Sequence, residues 1–202
     1  MAIKIVGVVC SPRVGQSTHY ALSACFDVIR QEFEHVEPIM IDLAGMDIKP
    51  CVACGSCMTK VTCSQKDDFQ KIIPVMTDPL VAGLILATPV YFGSMTAQAK
   101  AFLDRCVVFR RNKTMLRDKI GGVIAVGGFR HGGQETTIQA VHAAMLIQDM
   151  IIVGDGHATF HYGGTMWSGH PEGCEKDAFG LQTVQNLGRR VAGLAARLHD
   201  RS

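Results

Sequence analysis

The sequence lacks a large net charge, a long hydrophobic run and any low-complexity stretch. Its 20 basic and 18 acidic residues leave a formal net charge of +2, so a nucleic-acid partner is not expected. The N-terminal apolar run, Ile3–Val9, is too short for a signal-peptide core or a membrane span. We therefore expect a cytoplasmic protein with no membrane partner.

Two common nucleotide-binding fingerprints are also missing. The sequence after the first apolar run has neither a Walker A motif nor a G-x-G-x-x-G motif. This absence argues against a P-loop NTPase and against a Rossmann dinucleotide site.

Cysteine, by contrast, is abundant and clustered. Four of the eight cysteines, Cys51, Cys54, Cys57 and Cys63, follow the spacing C-x2-C-x2-C-x5-C. In a cytosolic chain such thiols are more often metal ligands than disulfides. The spacing favours an iron–sulfur cluster, with a zinc site or plain reduced thiols as the alternatives. The isolated cysteines are predicted to be small buried hydrophobic residues; they are Cys10, Cys25, Cys106 and Cys174.

Short apolar, β-branched-rich runs alternate with segments of helical spacing. The runs predict buried strands at Ile3–Val9, Val36–Ile41, Leu80–Ala87, Ile120–Val126 and Met150–Val153. The segments between and after them predict helices at Ser17–Phe33, Asp67–Met76, Met95–Phe109, Gln134–Gln148 and Lys176–His199. This alternation predicts an α/β fold with a doubly wound, five-stranded parallel sheet, flavodoxin-like strand order 2-1-3-4-5 and helices on both faces.

The length of 202 residues predicts a single domain, spanning 1–202. Two stretches have no regular pattern: a cysteine-rich insertion at about 49–66, and residues 154–174. The second begins a C-terminal loop plus helix, 154–202, and we expect it to cover a site or to contact another subunit.

Ligands of such sheets bind beyond the carboxyl ends of the strands, where the strand order reverses. The segment after the first strand has hydroxyl side chains at Ser11, Ser17 and Thr18 near the start of a helix. Hydroxyls and free helix amides are suited to holding a phosphate group. The alternative is an ordinary capped helix start.

The segments after the third and fourth strands have the composition of a site for a flat ring. Tyr91 and Phe92 follow the third strand, where the alternative role is to plug the core. Residues 127–133 follow the fourth strand and contain four glycines, which let the backbone approach a ligand closely. Arg130 in this segment is suited to an anionic or electron-rich edge, and the alternative is a flexible loop.

Together these segments resemble the flavodoxin-like NAD(P)H-dependent FMN reductases, and within them the iron–sulfur flavoprotein branch. The matching pieces are Ser11-Pro12-Arg13 with Ser17-Thr18, Pro89 to Met95 running into Lys100 to Arg105, Gly132 to Thr137, and the cysteine cluster with Asp67-Asp68 behind it. The resemblance implies a noncovalently bound FMN whose phosphate lies on Ser11, Arg13, Gln16, Ser17 and Thr18. It implies that the flavin ring lies against Pro89, Val90, Tyr91, Phe92 and Gly93, and against Gly127, Gly128, Phe129 and Arg130. Gln16 stands where many relatives have Asn, a change that keeps the amide donor.

The resemblance further implies a [4Fe-4S] cluster on Cys51, Cys54, Cys57 and Cys63. It implies a homodimer or homotetramer in which the cluster of one subunit lies near the flavin of another. Because the cysteines follow the second strand, we expect them at the same edge of the sheet as the flavin.

The resulting hypothesis is an FMN-dependent oxidoreductase that transfers electrons through a [4Fe-4S] cluster and FMN. It needs no catalytic acid or base, because the flavin accepts electrons itself. Ferredoxin or NAD(P)H is the expected small redox partner. The alternatives are a cluster-free NAD(P)H-dependent FMN or quinone reductase, and a flavodoxin-like electron carrier or redox sensor.

Overall fold

The computed structural model describes residues 2–199; Met1 and residues 200–202, which the expected domain 1–202 and segment 154–202 include, lie outside them. The strands are β1 (Ile3–Val9), β2 (Val36–Asp42), β3 (Val81–Pro89), β4 (Ile120–Gly127), β5 (Ile151–Ile152) and β6 (Gly164–Trp167). The helices are α1 (Ser17–Glu32), α2 (Phe69–Met76), α3 (Ala97–Arg105), α4 (Val107–Arg111), α5 (Gln134–Leu146) and α6 (Ala178–His199). No helix within residues 2–199 is long and apolar enough to cross a membrane.

The strands form one parallel sheet in the order β2-β1-β3-β4-β5, which confirms the predicted topology. The sixth strand was not predicted, and the expectation that residues 154–174 are irregular is wrong for β6. Since β5 has only two residues, it pairs with only the first two residues of β4. The remaining edge of β4 pairs with β6 instead, where Ile124 lies opposite Gly164 and Gly127 opposite Trp167.

Helices cover both faces of the sheet, as the sequence predicts. Strands β3 and β4 are buried along their whole length, which explains their continuous apolar runs. One core lies under α2 to α5 and includes Phe69, Phe102 and Phe109. The other lies under α1 and α6 and includes Phe26 and Val191. The sheet is therefore the wall between two apolar layers, and only its ends remain for a ligand.

The isolated cysteines follow the prediction in three of four cases. Cys10, Cys25 and Cys106 are buried in the cores, where burial raises the pKa of each thiol. Cys174 is only partly buried, beside the start of α6.

The segment predicted as one helix over Met95–Phe109 forms two helices, α3 and α4, that divide at Cys106. The amide of Cys106 is shared between the carbonyls of Phe102 and Leu103, which tightens the turn there. At its other end α3 is capped by Thr96, whose hydroxyl accepts from the amide of Ala99 at 3.0 Å. The same hydroxyl donates to the carbonyl of Cys10 at 2.8 Å, so the start of α3 is fixed to the end of β1.

Candidate functional site

Residues 10–16 join β1 to α1 and form the first loop of the site. Ser11 is buried, and its hydroxyl accepts from the amide of Arg13 at 3.1 Å, which folds the loop back on itself. Within residues 2–199 no side chain caps α1, whose N-cap residue is Gln16, and the first turn holds no acidic residue. The first amides of α1 therefore keep free donors in a field that favours an anion, unlike those of an ordinary capped helix.

Residues 90–96 form the second loop, which turns sharply after β3. The amide of Tyr91 donates to the carbonyl of Ser94 at 2.8 Å, and the amide of Ser94 donates back at 3.1 Å. Phe92 and Gly93, at the tip, both have left-handed backbone conformations, with φ of 50° and 74°. Glycine adopts this conformation without strain, whereas an aromatic residue there is a strained exception. The side chain of Phe92 is fully exposed and that of Tyr91 is 46% exposed, so neither plugs the core.

Residues 128–133 form the third loop, which follows β4 and is braced by Gln134. The side-chain amide of Gln134 donates to the carbonyl of Phe129 at 2.7 Å and accepts from the amide of Gly132 at 2.8 Å. A Cβ at Gly127 would overlap this amide group, so any larger residue there would displace the Gln134 side chain from the loop. The loop is therefore held by specific hydrogen bonds and does not have the character of a flexible linker.

Hydrogen bonds join the three loops at one edge of the sheet. Val90 donates its amide to the carbonyl of Val126 at 2.9 Å, and the hydroxyl of Thr136 donates to the carbonyl of Gly93 at 3.0 Å. The bond from Thr96 to Cys10 ties the second loop to the first. The residues that the resemblance assigns to the phosphate and to the ring thus lie in, or directly beside, three connected loops. These loops follow β1, β3 and β4, which are neighbouring strands.

Strand β6 packs against the third loop, and it lies within the segment 154–174 that was expected to cover a site or to contact another subunit. The indole N–H of Trp167 donates to the carbonyl of Gly128 at 3.0 Å, and the amide of Ser168 donates to the carbonyl of Gly127 at 2.8 Å. The guanidinium of Arg130 lies 4.8 Å from the centre of the Trp167 ring. A cavity of about 430 Å³ lies between this strand and the starts of α5 and α6. The sequence pattern of this segment predicted neither the strand nor the contacts of Trp167.

The four clustered cysteines line one small cavity. Cys51 and Cys54 are exposed, Cys57 is buried within a 3₁₀ turn at Ser56–Met58, and Cys63 is partly buried. Among residues 2–199, no group of three or more histidine, cysteine or acidic side chains is arranged as a metal site. The thiols therefore share a cavity without being gathered to ligating distances.

The chemistry of the donors around this cavity nevertheless fits a soft metal centre. Among the described residues that line it, the four thiols are the only titratable acids, and Arg105 and Arg111 are the cations. Thiolates with nearby hydrogen-bond donors are the ligands of iron–sulfur clusters and of all-cysteine zinc sites.

Residues 49–66, the cysteine loop, are closed at their base by a buried ion pair. Both carboxylate oxygens of Asp67 accept from Arg105, at 2.7 and 3.0 Å, and both side chains are almost completely buried. Asp67 also accepts from the amide of Lys49, and Arg105 donates to the carbonyl of Lys49 at 2.9 Å. Burial alone would raise the pKa of Asp67, but these hydrogen bonds hold it below its usual range.

The cavity lies away from the three loops, which corrects the expectation that the cysteines share their edge of the sheet. The cavity wall is formed by Arg105, Val107, Val108 and Arg111, at the end of α3 and along α4. The second loop lies at the opposite end of α3. Nine helical residues separate the two ends by roughly 13 Å. The reason is that the chain after β2 runs along α3 before it enters α2: Gln98 near the start of α3 donates to the carbonyl of Leu43, and Arg105 at its end donates to that of Lys49.

Cys54 has the electrostatics of a metal-binding thiolate. Its sulfur lies 3.3 Å from the hydroxyl of Ser56 and 3.0 Å from that of Ser64. These two hydrogen bonds lower the pKa of Cys54 to about 7, because they stabilise the thiolate form.

This shift predicts the reactivity of the metal-free protein. We expect the rate at which iodoacetamide modifies Cys54 to rise with pH around a midpoint near 7, since only the thiolate attacks. Ser64→Ala removes one donor and is expected to move the midpoint to higher pH. Peptide mass spectrometry measures both rates, with the buried Cys106 as the internal control that stays unmodified. A midpoint at the ordinary thiol value in both proteins would contradict the assignment.

Comparison with known proteins identifies the family. Residues 3–165 match the NADPH-dependent FMN reductase family. An iron–sulfur flavoprotein of Methanocaldococcus jannaschii is 40% identical over 190 residues, which cover 94% of this chain and 96% of the relative. An iron–sulfur flavoprotein of Methanosarcina thermophila is 37% identical over 189 residues, which cover 94% and 93%.

The solved structures agree on the fold. A flavodoxin, WrbA-like protein from Agrobacterium tumefaciens superposes with a TM-score of 0.65 at 18% identity, and the match covers 97% of this chain and 99% of that one. The flavodoxin-like fold predicted from the sequence is thus confirmed. The length of the family match and the identity to these relatives show that the chain belongs to the NADPH-dependent FMN reductase family of flavin-dependent oxidoreductases.

Proposed function

We propose that the protein is an iron–sulfur flavoprotein, which binds FMN at the three loops and a [4Fe-4S] cluster at the cysteine loop. The observation that carries this proposal is the presence, in one chain, of two separate sites suited to two different cofactors. One is an uncapped helix start surrounded by hydrogen-bonded loops, and the other is a cavity lined by four thiols and two arginines. When bound, FMN supplies one- or two-electron chemistry and the cluster supplies one-electron transfer.

The first loop and the first turn of α1 supply the donors for the FMN phosphate. The residues proposed for it are Ser11, Arg13, Gln16, Ser17 and Thr18. Arg13 and Gln16 are exposed and able to reach an anion, while the first amides of α1 point at the same place. The guanidinium supplies a charge-assisted hydrogen bond to the phosphate, the strongest contact that this loop offers.

The second and third loops, with the last residues of β3 and β4, supply the surfaces for the flavin ring. The residues proposed for it are Pro89, Val90, Tyr91, Phe92, Gly93, Gly127, Gly128, Phe129 and Arg130. The exposed rings of Tyr91 and Phe92 offer apolar contact, and the exposed backbone at Gly93 and Gly128 offers amides to the polar edge of the ring. The brace provided by Gln134 supports this role, because a fixed loop holds a ring at less entropic cost.

The cysteine loop supplies the cluster ligands Cys51, Cys54, Cys57 and Cys63. Cys54 is already half ionised near pH 7, and the burial of Cys57 keeps water from one side of the cavity. Closure of the loop around a cluster requires the sulfurs to move together. The positive backbone φ values of Ala53 and Gly55, which sit between the ligands, support a chain that turns tightly at this place.

We infer that the protein exchanges electrons with a small redox partner, which is either a ferredoxin or NAD(P)H. We also infer a homodimer or homotetramer. The distance between the cysteine cavity and the flavin loops of one chain supports an assembly in which another subunit supplies the nearer flavin. The exposed Phe92 and Phe129 support a contact at that edge, since isolated chains seldom expose such residues together.

We infer in addition that residues 1–202 form a single FMN-binding domain, with the cysteine loop as an insertion and residues 154–202 as a C-terminal extension. Both apolar cores pack on the same sheet, and α6 packs along α1, which supports one folding unit.

Iron analysis of the protein purified without oxygen tests the proposal. We expect about four iron atoms, four sulfides and one FMN per chain, with a broad absorbance shoulder beside the flavin bands. Cys57→Ala is expected to lose most of the iron and to retain FMN, because the two sites are separate. Cys174→Ala is the matched control and should keep both.

Two outcomes would decide against this assignment. Wild-type protein that holds FMN but no iron would point to the cluster-free FMN reductase. Wild-type protein that holds zinc in place of iron would identify the four thiols as a structural metal site.

A further inference from the structure

Two arginines face the thiols that are proposed to hold the cluster. Arg111, at the end of α4, donates from its guanidinium to the sulfur of Cys57 at 3.4 Å. The neighbouring Asn112 donates to the carbonyl of the same residue at 3.1 Å, so the backbone and the sulfur of Cys57 are both fixed. This is a specific arrangement of donors around one buried sulfur.

Arg105 faces the cavity from the end of α3 and has one donor left over. Its two terminal nitrogens are used by Asp67 and by the carbonyl of Lys49. Its Nε–H is buried, and within residues 2–199 it has no hydrogen-bond partner. Buried donors are rarely left without an acceptor, so an unused one requires an explanation.

The thiol of Cys63 lies beside this unused donor. Cys63 is near enough to the Arg105 guanidinium to act on it electrostatically. Both residues line the same cavity. The Nε–H of Arg105 therefore has a sulfur acceptor within reach once the loop closes on a metal centre.

The charge balance of the cavity gives these contacts a functional consequence. Reduction adds one electron, and one negative charge, to a centre that already carries four thiolates. Cations and N–H donors next to the sulfurs stabilise that added charge, and they are among the groups that set the potentials of iron–sulfur clusters. No carboxylate of the described chain lines this cavity to oppose them.

We propose that Arg105 and Arg111 are positioning residues that raise the reduction potential of the cluster, by donating hydrogen bonds to the sulfurs of Cys63 and Cys57 and by countering the charge of the reduced form. This inference rests on the proposed function, because it presupposes the cluster. It adds the assignment of two residues outside the ligand set, each with a named sulfur as its acceptor.

The test compares reduction potentials of the holoprotein, measured in an anaerobic redox titration followed by electron paramagnetic resonance. At a fixed solution potential, Arg111→Gln is expected to lower the ratio of reduced to oxidised cluster about tenfold, a shift of about 59 mV for one electron. Arg110→Gln is the matched control, since it removes the same charge from the exposed neighbour on α4 and should leave the ratio unchanged. Arg105→Lys keeps a cation beside Asp67 but removes the Nε–H, and it should shift the ratio in the same direction.

Iron content separates the ways in which the test can fail. Wild-type protein without iron would overturn the proposed function itself. Full iron in every variant, with equal potentials for Arg111→Gln and Arg110→Gln, would overturn only the role of the arginines. Loss of iron from Arg111→Gln but not from Arg110→Gln would also count against the proposal, because it would show that Arg111 retains the cluster rather than sets its potential. An unchanged reduction potential in Arg105→Lys would show that Arg105 does not help to set the potential of the cluster.

Discussion

Ser17→Glu is expected to weaken FMN binding about a hundredfold or more without destabilising the FMN-free protein. A carboxylate in the first turn of α1 would stand where the proposed phosphate lies, and like charges in contact cost several kcal/mol. The same carboxylate interacts favourably with the positive end of the helix dipole. This interaction adds about 0.3–1 kcal/mol to the free energy of unfolding. Weaker FMN binding combined with undiminished stability of the FMN-free protein is expected only if the start of α1 binds an anion. Flavin fluorescence titration measures the dissociation constant, and urea unfolding measures the stability.

Riboflavin provides the control for the ring site, because it has the flavin ring without the phosphate. Its affinity should be nearly the same for wild type and Ser17→Glu, and Ser17→Gln should lose much less FMN affinity than the charged variant. Equal losses for FMN and riboflavin would show damage to the ring loops instead. Unchanged FMN affinity would remove the start of α1 from the site.

The sheet and the positions of the three loops were predictable because their signals are local. A strand buried on both faces must be apolar at successive positions, as β3 is from Val81 to Ala87, and all nine residues of this strand are buried. The strand order then follows from chain topology, and it brings the segments after β1, β3 and β4 to one edge. Position along the chain was enough to find Ser11, Tyr91 and Arg130 as candidates, without any knowledge of their contacts.

The remaining parts of the site depend on pairings between distant residues. Gly164–Trp167 becomes a strand only because β5 is too short to occupy the edge of β4. Gln134 braces the third loop through two backbone groups that no periodicity reveals. The cysteine loop was predicted at the edge of the sheet that holds the three loops, but its cavity lies at the far end of α3. Only the starting point of this loop, the end of β2, could be inferred from the sequence.

Arg105 is the clearest case of a contact that sequence patterns conceal. Arginine in an amphipathic helix is normally assigned to the solvent face, yet this side chain is almost completely buried. Its partner, Asp67, is 38 positions away. The motif that contains Arg105 contributed to the family resemblance, but the resemblance assigned it no role. Burial of a charge is explained only once its partner is located in space.

Asp67→Ala is expected to lower the free energy of unfolding by about 3–5 kcal/mol, the usual cost of breaking a buried ion pair. The substitution leaves the guanidinium of Arg105 buried without its carboxylate, and it also removes the acceptor for the amide of Lys49. Urea unfolding of the FMN-free protein at neutral pH measures the loss. Asp68→Ala is the matched control, since Asp68 pairs with the exposed Lys71 and should lose much less stability.

The pH dependence of that loss follows from the pKa of Asp67. The folded protein holds this pKa below its usual range, so the stabilisation is fully present above about 3.9, the ordinary value of an aspartate. It disappears as the pH falls through the lower, folded value, because the carboxylate is then protonated in both states. The difference between wild type and Asp67→Ala should therefore shrink in acid. A difference that stays constant from pH 7 to 3 would contradict the ion pair as its source.

Removing the charges of both Asp67 and Arg105 tests whether an unpaired buried charge causes the large loss of stability. Asp67→Leu combined with Arg105→Met takes both charged groups out of the interior, so the double variant should be more stable than Arg105→Met alone, which strands the carboxylate. A double variant no more stable than that single variant would show that packing dominates at this position. If stability is recovered, the charged pair is not needed for folding. Its remaining role is then to fix Lys49 to Asp67 and thereby hold the two ends of the cysteine loop together.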